Sequence, residues 1–136
     1  MTKFINTPHG SRIAYNQIIG KKNGIVFLSG FGSDMQGKKA LFIEKWAKNN
    51  NHSFLRFDYS GHGLSTGKLN ETYFSDWYRD AEFLITKLTE GKQILIGSSM
   101  GGWVMLMLSK LITQKISAMI GLAAAPDFPK TLIWDK

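Results

Sequence analysis

With 136 residues, a hydrophobic fraction of 43% and no cysteine, the chain has the size of one domain with one real core, which excludes a disulfide framework, a thiolate metal site and a disordered tail. The net charge of +7 arises from scattered lysines rather than a basic run interleaved with aromatics, so nucleic-acid binding is not expected. No segment reaches the roughly 20 continuous apolar residues of a bilayer span, and the opening MTKFINTPHGSRIAY lacks a long apolar core, so a cytoplasmic protein without signal peptide is the default.

No repeat or low-complexity linker interrupts the sequence, which reads as one domain or part of one. Residues 3–6 and 12–19 read as strands joined by a turn at PHGS, and GKKNG makes the next turn. IVFLSGF (25–31) is a continuous apolar run ending in glycine and serine, the pattern of a strand covered on both faces in a parallel sheet. In GKKALFIEKWAKNN the apolar pairs Phe42–Ile43 and Trp46–Ala47 stand four apart with lysines between, which predicts an amphipathic helix. SFLRFDYS (53–60) is the next strand. SDWYRDAEFLITKLTEG carries a helical stripe of Trp77, Tyr78, Ala81, Leu84, Ile85 and Leu88, with Ser75 to cap it, Asp76 in its first turn and Gly91 to end it. QILIGS reads as a buried strand, GGWVMLMLSKLI as a deeply placed helix and ISAMIGLAAAP (116–126) as a further buried strand. The alternation from Ile25 onward predicts an α/β fold: a mostly parallel sheet with helices on both faces, after an N-terminal hairpin.

Gly97, Ser99 and Gly101 form G-x-S-x-G between a predicted strand and a predicted helix. That is the context of a nucleophile elbow, in which one side chain is exposed at the apex of a sharp, strained turn. Side chains at positions 97 and 101 would collide with the neighbouring strand and helix, which accounts for the glycines. Ser99 would then sit at the carboxyl ends of the strands, where open α/β sheets place their sites, with a helix N-terminus aimed at the same point. An oxyanion needs preplaced donors. The Met100 N–H is the first candidate, and the Phe31 N–H, in LSGFGS after another strand, is the second.

LSGFGSDMQG, FDYSGHGLSTG and IGSSMGGW, in this order and at these spacings, resemble the α/β-hydrolase family, in particular its abhydrolase-type serine esterases and thioesterases related to palmitoyl-protein thioesterase. The resemblance covers the whole chain, residues 1–136, as the N-terminal portion of one hydrolase domain, with a cap or following helix starting at about 127–136. It implies hydrolysis of a small-molecule carboxylic ester or thioester without cofactor or metal, with Ser99 as nucleophile and the Phe31 and Met100 N–H groups as oxyanion donors. It also implies that DYSGHGLS is architectural and that His62 shapes the mouth of the site rather than acting as base.

The triad of this family runs serine, acid, histidine along the chain, yet no histidine follows Ser99 and the acids that do are Asp127 and Asp135. Asp127 is a candidate triad acid and also a candidate helix N-cap before FPKTLIWDK. His62, on a loop at the same end of the sheet, is a candidate surrogate base. His9 and His52 stand in turn-like contexts and are expected at the opposite end or the surface, solvated. The resemblance also implies more strands than the six counted here, so the last strand would be a long apolar edge, which natural proteins avoid. A fragment of a longer protein, a complementing second chain, self-association through that strand and a decaying gene product are the alternatives. These residues alone are expected to lack efficient turnover. Rival readings are a phosphate loop in GSDMQGKK, where Lys39 replaces the magnesium-binding hydroxyl, a dinucleotide loop in GHGLSTG, and a non-catalytic half that binds an acyl ligand or a partner chain.

Overall fold

The computed structural model describes residues 1–123. Asp127, Asp135 and the expected start of a cap lie outside the described residues. Strands β1 (Lys3–Asn6), β2 (Arg12–Ile18), β3 (Lys22–Leu28), β4 (His52–Phe57), β5 (Gln93–Ser98) and β6 (Ile116–Leu122) are interleaved with helices α1 (Lys38–Asn49), α2 (Phe74–Leu88) and α3 (Met100–Leu111). They form one sheet in the order β1-β2-β4-β3-β5-β6. β4, β3, β5 and β6 run parallel, and the β1–β2 hairpin joins antiparallel on β4. This is the α/β architecture expected from the alternation of elements.

Strand periodicity assigns the two faces. Ile25 and Phe27 of β3, Phe54 of β4 and Ile96 of β5 form one core with Ala40 and Ala47 of α1. Val26, Leu28, Leu55, Phe57 and Leu95 point the other way, onto Trp77, Ala81, Leu84, Val104 and Leu108 of α2 and α3. Helices therefore cover both faces. Burial on both faces is why β3 reads as a continuous apolar run rather than an alternating one.

Three local expectations are corrected. Helix α2 begins at Phe74 rather than after a Ser75 cap: the Tyr73 N–H donates to the Asp76 carboxylate at 2.8 Å, so the acid of the first turn satisfies the helix start from inside. The same helix ends at Leu88, with Thr89 Oγ1 donating to the Ile85 carbonyl at 2.6 Å, while Gly91, at φ +70°, makes the turn into β5 instead. Strand β6 is the sheet edge, and Ser117 through Gly121 are exposed. Its apolar run fits a strand covered on both faces, but among the described residues no further strand pairs with its outer side. Among the described residues no helix is long and apolar enough to cross a membrane.

The hairpin register fixes which end of the sheet each turn occupies. β2 runs antiparallel to β4 with Tyr15 opposite Phe57, so Arg12 lies past the carboxyl end of β4. The β1–β2 turn that holds His9 therefore sits at the same end as the β4 loop, not at the opposite end. His52 does lie at the opposite end, but it is not merely solvated. Its Nδ1 lies 2.7 Å from the Asn23 carbonyl, and its ring stacks on Trp46 with centroids 5.3 Å apart.

Candidate active site

Ser99 occupies the junction of β5 and α3 with φ 52° and ψ −116°, a backbone conformation that a residue with a Cβ rarely adopts and that costs about 1–3 kcal/mol. Its N–H donates to the Leu122 carbonyl at 3.1 Å, and its carbonyl accepts the Gly102 N–H at 2.9 Å. Sheet and helix thus hold the strained residue from both sides. The two glycines are required by contact. A Cβ at Gly97 would lie 2.5 Å from the Gly101 carbonyl oxygen, and one at Gly101 would run into the Leu28 carbonyl. Neither obstacle is a side chain that could swing away. Met100 is the first residue of α3, where backbone N–H groups have no intrahelical acceptor.

The loop after β3 comes against Ser99. A Cβ at Gly30 would lie 3.4 Å from Ser99 Cβ and 3.4 Å from the Ser98 carbonyl oxygen. Gly30 and Ser33 close a turn through a 3.2 Å backbone hydrogen bond. The Phe31 ring, partly exposed, packs on Trp77 and on His62, with centroids 5.5 and 6.1 Å away. Lys39 reaches the same end of β5, its Nζ donating to Ser98 Oγ at 3.4 Å.

The β4 loop, DYSGHGLS, is cross-braced by buried groups. Asp58 accepts the Met35 N–H at 2.7 Å and the Leu64 N–H at 2.9 Å, one on each oxygen. Gly63, at φ +47°, passes so close that a Cβ would meet the Asp58 carboxylate. Ser65 Oγ donates to the Asp58 carbonyl at 2.6 Å and accepts the Ala14 N–H at 2.9 Å, which ties the loop to β2. Asp80 of α2 is fully buried and accepts the Ser60 N–H at 2.7 Å, while His9 Nε2 lies 2.7 Å from its other oxygen. Burial pushes both carboxyls above the ordinary aspartate range, and these donors pull back against it.

His62 is buried among Phe31, Tyr59 and Trp77. Its Nε2 accepts the Gly32 N–H at 3.0 Å. That nitrogen therefore carries no proton, the neutral ring is protonated on Nδ1, and Nδ1–H donates to the Ser60 carbonyl at 3.0 Å. Burial lowers its pKa, although the Ser60 carbonyl and the charges of Asp58 and Asp80 act in the opposite sense. Above about pH 6.5 the imidazole is neutral in both the folded and unfolded states and adds no pH dependence. As pH falls through that value the unfolded chain takes up the proton first, so the fold loses stability until its own lower pKa is reached. The raised Asp58 and Asp80 act oppositely, since the folded state protonates them first. Comparing thermal unfolding of wild type and His62→Gln at pH 7.5 and 5.5 isolates the imidazole. The wild type is expected to lose more stability on acidification, and equal losses would overturn this.

These contacts also remove the rival loops. In GSDMQGKK the N–H groups of Gly32, Met35 and Gln36 are donated to His62, Asp58 and Asp34, so they do not converge on a phosphate. GHGLSTG wraps Asp58 and is followed only by a single 3-10 turn, Leu69–Glu71, with no α-helix until α2 begins at Phe74. Sequence reasoning missed His9, Asp58, Trp77 and Asp80 as supports of the site. Asp80 had a signal: it is an acid one helical turn from Trp77 and Leu84 on the apolar stripe of α2. A groove of about 580 Å³ between Gly20, Lys22, Ser53, Leu88 and Gln93 lies at the N-terminal ends of the strands, away from Ser99.

A mostly parallel sheet with helices on both faces and a strained serine at a strand–helix junction defines an α/β hydrolase. Residues 20–134 match the family model described as serine aminopeptidase, S33, and the chain belongs to that family. It superposes on alpha/beta hydrolase domain-containing protein 10 from mouse with a TM-score of 0.93 at 39% sequence identity, covering 100% of this chain and 54% of that one. Est1E from Butyrivibrio proteoclasticus superposes with a TM-score of 0.85 at 19% identity, covering 95% of this chain and 55% of that one, a likeness of fold alone. The palmitoyl-protein thioesterase ABHD10, mitochondrial, of Rattus norvegicus is 44% identical over 124 residues, which is 91% of this chain and 42% of the rat protein. The chain thus spans less than half the length of this relative. The rat protein's name places it in the mitochondrion, which overturns the cytoplasmic expectation. That default rested on finding no targeting pattern, and a cellular address is written in segments separable from the fold.

Proposed function

We propose that this chain carries the nucleophile and oxyanion site of a serine hydrolase that cleaves an acyl thioester or ester through an acyl-enzyme on Ser99. The observation that supports this best is the strained Ser99 backbone at the β5–α3 junction, with Gly30 against it. Ser99 Oγ attacks the acyl carbonyl carbon and its proton passes to a base. Charge develops on the carbonyl oxygen, where the N–H groups of Met100 and Phe31 and the N-terminus of α3 stabilise it. The C–S or C–O bond breaks, the thiol or alcohol leaves with the proton, and water repeats the sequence on the acyl-enzyme. This chemistry uses no metal or cofactor. The name of the rat relative supports a thioester among the substrates.

No histidine follows Ser99 in the sequence, and both nitrogens of His62 are engaged within the loops. A longer polypeptide or a second chain would supply base and acid, with Asp127 a candidate for the acid. The exposed β6 edge offers the place for such a complement to add strands. The engaged His62 equally favours a second reading, a hydrolase-like module that binds an acyl group without turnover.

Treatment of the purified chain with a fluorophosphonate, followed by intact mass and peptide mapping, tests whether Ser99 is activated in this chain. An adduct on Ser99 that Ser99→Ala abolishes supports the hydrolase reading. A cooperatively folded chain without adduct supports a catalytically incomplete half, whether a site awaiting its base or a binding module, and an adduct that persists in Ser99→Ala overturns the assignment of the nucleophile.

A further inference from the structure

One continuous set of hydrogen bonds runs from the β1–β2 turn to the loop beside Ser99. His9 Nε2 lies 2.7 Å from Asp80 Oδ1, and Asp80 Oδ2 accepts the Ser60 N–H at 2.7 Å. The Ser60 carbonyl accepts His62 Nδ1–H at 3.0 Å and Trp77 Nε1–H at 3.1 Å, which uses both of its lone pairs. His62 Nε2 then accepts the Gly32 N–H at 3.0 Å. Four separate segments meet here: the β1–β2 turn, the β4 loop, α2 and the loop after β3. None of these bonds involves Ser99, and the acyl-transfer chemistry uses none of them directly.

We propose that His62 is a positioning residue which, as its Nδ1–H tautomer locked by Ser60 and Asp80, holds Gly32 and thereby aims the adjacent Phe31 N–H at the oxyanion formed on Ser99. The proposal rests on the reading of Phe31 as an oxyanion donor. The chemistry of the ring explains the residue type. The position needs a donor toward Ser60 and an acceptor toward Gly32 on one rigid body, which a neutral imidazole supplies. The rings of Phe31, Tyr59 and Trp77 fix its tilt through edge contacts with centroids 5.3–6.1 Å away. Other hydrogen bonds hold the two ends of the loop after β3, with Tyr59 Oη donating to the Ser29 carbonyl at 2.9 Å and the Met35 N–H donating to Asp58 at 2.7 Å. The Ser33 N–H to Gly30 carbonyl bond at 3.2 Å closes its turn, while His62 takes the Gly32 N–H at the centre. Protonation of Nε2 would place a donor against a donor at Gly32. Among the described residues, the charged and titratable groups that bear on the ring are Asp58 and Tyr59 from the β4 loop and Asp80 from α2, with His9 behind Asp80.

The test follows the amide exchange of Gly32 and Phe31 by NMR in the wild type, His62→Phe and His62→Gln, with the β5 amides of Leu95 and Ile96 as the reference for global opening. Phenylalanine keeps a ring but removes both nitrogens. Glutamine restores an oxygen acceptor near the Nε2 position. Exchange at Gly32 and Phe31 is expected to rise at least about tenfold in His62→Phe beyond any change in β5, and to return to within about threefold of wild type in His62→Gln. The wild-type ring nitrogens are expected to show the Nδ1–H tautomer in a long-range proton–nitrogen spectrum. Fluorophosphonate labelling of Ser99 is expected to slow by about tenfold to a hundredfold in His62→Phe and to recover in His62→Gln, because a small misplacement of an oxyanion donor costs that much. Unchanged Gly32 and Phe31 exchange in His62→Phe, a rise matched by β5, failure of glutamine to restore it, or the opposite tautomer would each overturn the proposal. Loosened Gly32 and Phe31 amides with undiminished labelling would overturn its link to the oxyanion. Wild-type protein that takes no label would instead show that Ser99 is not activated in this chain alone, which bears on the hydrolase reading, while the exchange and tautomer results still decide whether His62 holds the loop.

Discussion

Replacing Ser99 with glycine is expected to make the protein more stable by about 1–2 kcal/mol and to abolish covalent labelling at the same time. The backbone at Ser99, φ 52° and ψ −116°, costs a residue with a Cβ about 1–3 kcal/mol. Glycine removes that strain and gives back about 0.5–1 kcal/mol through the greater freedom of the unfolded chain. Ser99→Ala keeps the Cβ and hence the strain, so its stability should stay close to that of the wild type while the label is lost. Urea unfolding of the three proteins measures the difference. A glycine variant no more stable than the alanine variant would show that the elbow stores no strain. The pair also separates two things that usually change together, the hydroxyl proposed to react and the conformation that presents it.

Gly101→Ala is expected to lose about 3 kcal/mol or more, enough to threaten folding of a marginally stable domain. The added methyl would run into the Leu28 carbonyl and lie 2.9 Å from the Ser29 carbonyl oxygen, both backbone atoms at the end of the central strand β3. Relief would require α3 to move away from the sheet, and α3 carries Met100, Val104 and Leu108 in the core. Gly91→Ala is the control. Gly91 has φ +70°, and a methyl added there would meet nothing within 4 Å, so only the backbone penalty of about 1–2 kcal/mol applies. Thermal or urea unfolding of both variants checks the order. Equal losses would mean that α3 yields at Gly101, and that the glycine serves conformation rather than close approach.

The amino-acid sequence by itself determined the parts of this protein that depend on neighbours along the chain. Apolar runs bounded by glycine defined β3 and β5, and helical stripes defined α1 and α2, because periodicity records which side of an element is covered. The G-x-S-x-G spacing pointed to the strand-to-helix turn, because the demand on Gly97 comes from Gly101 within the motif itself, although the demand on Gly101 comes from the Leu28 carbonyl of a distant strand. Tertiary structure alone decided what depends on register and on which ends of the sheet coincide. His9 and Asp80 are 71 positions apart; they meet because β2 pairs antiparallel with β4 and brings the hairpin turn to the site end. The two ring nitrogens of His62 are claimed by Gly32 and Ser60, so a histidine that reads in sequence as a possible base is held as a brace. The apolar run of β6 looks the same whether or not a strand lies beyond it, since hydrophobicity records what a surface is suited to touch, and only the assembled sheet shows what touches it.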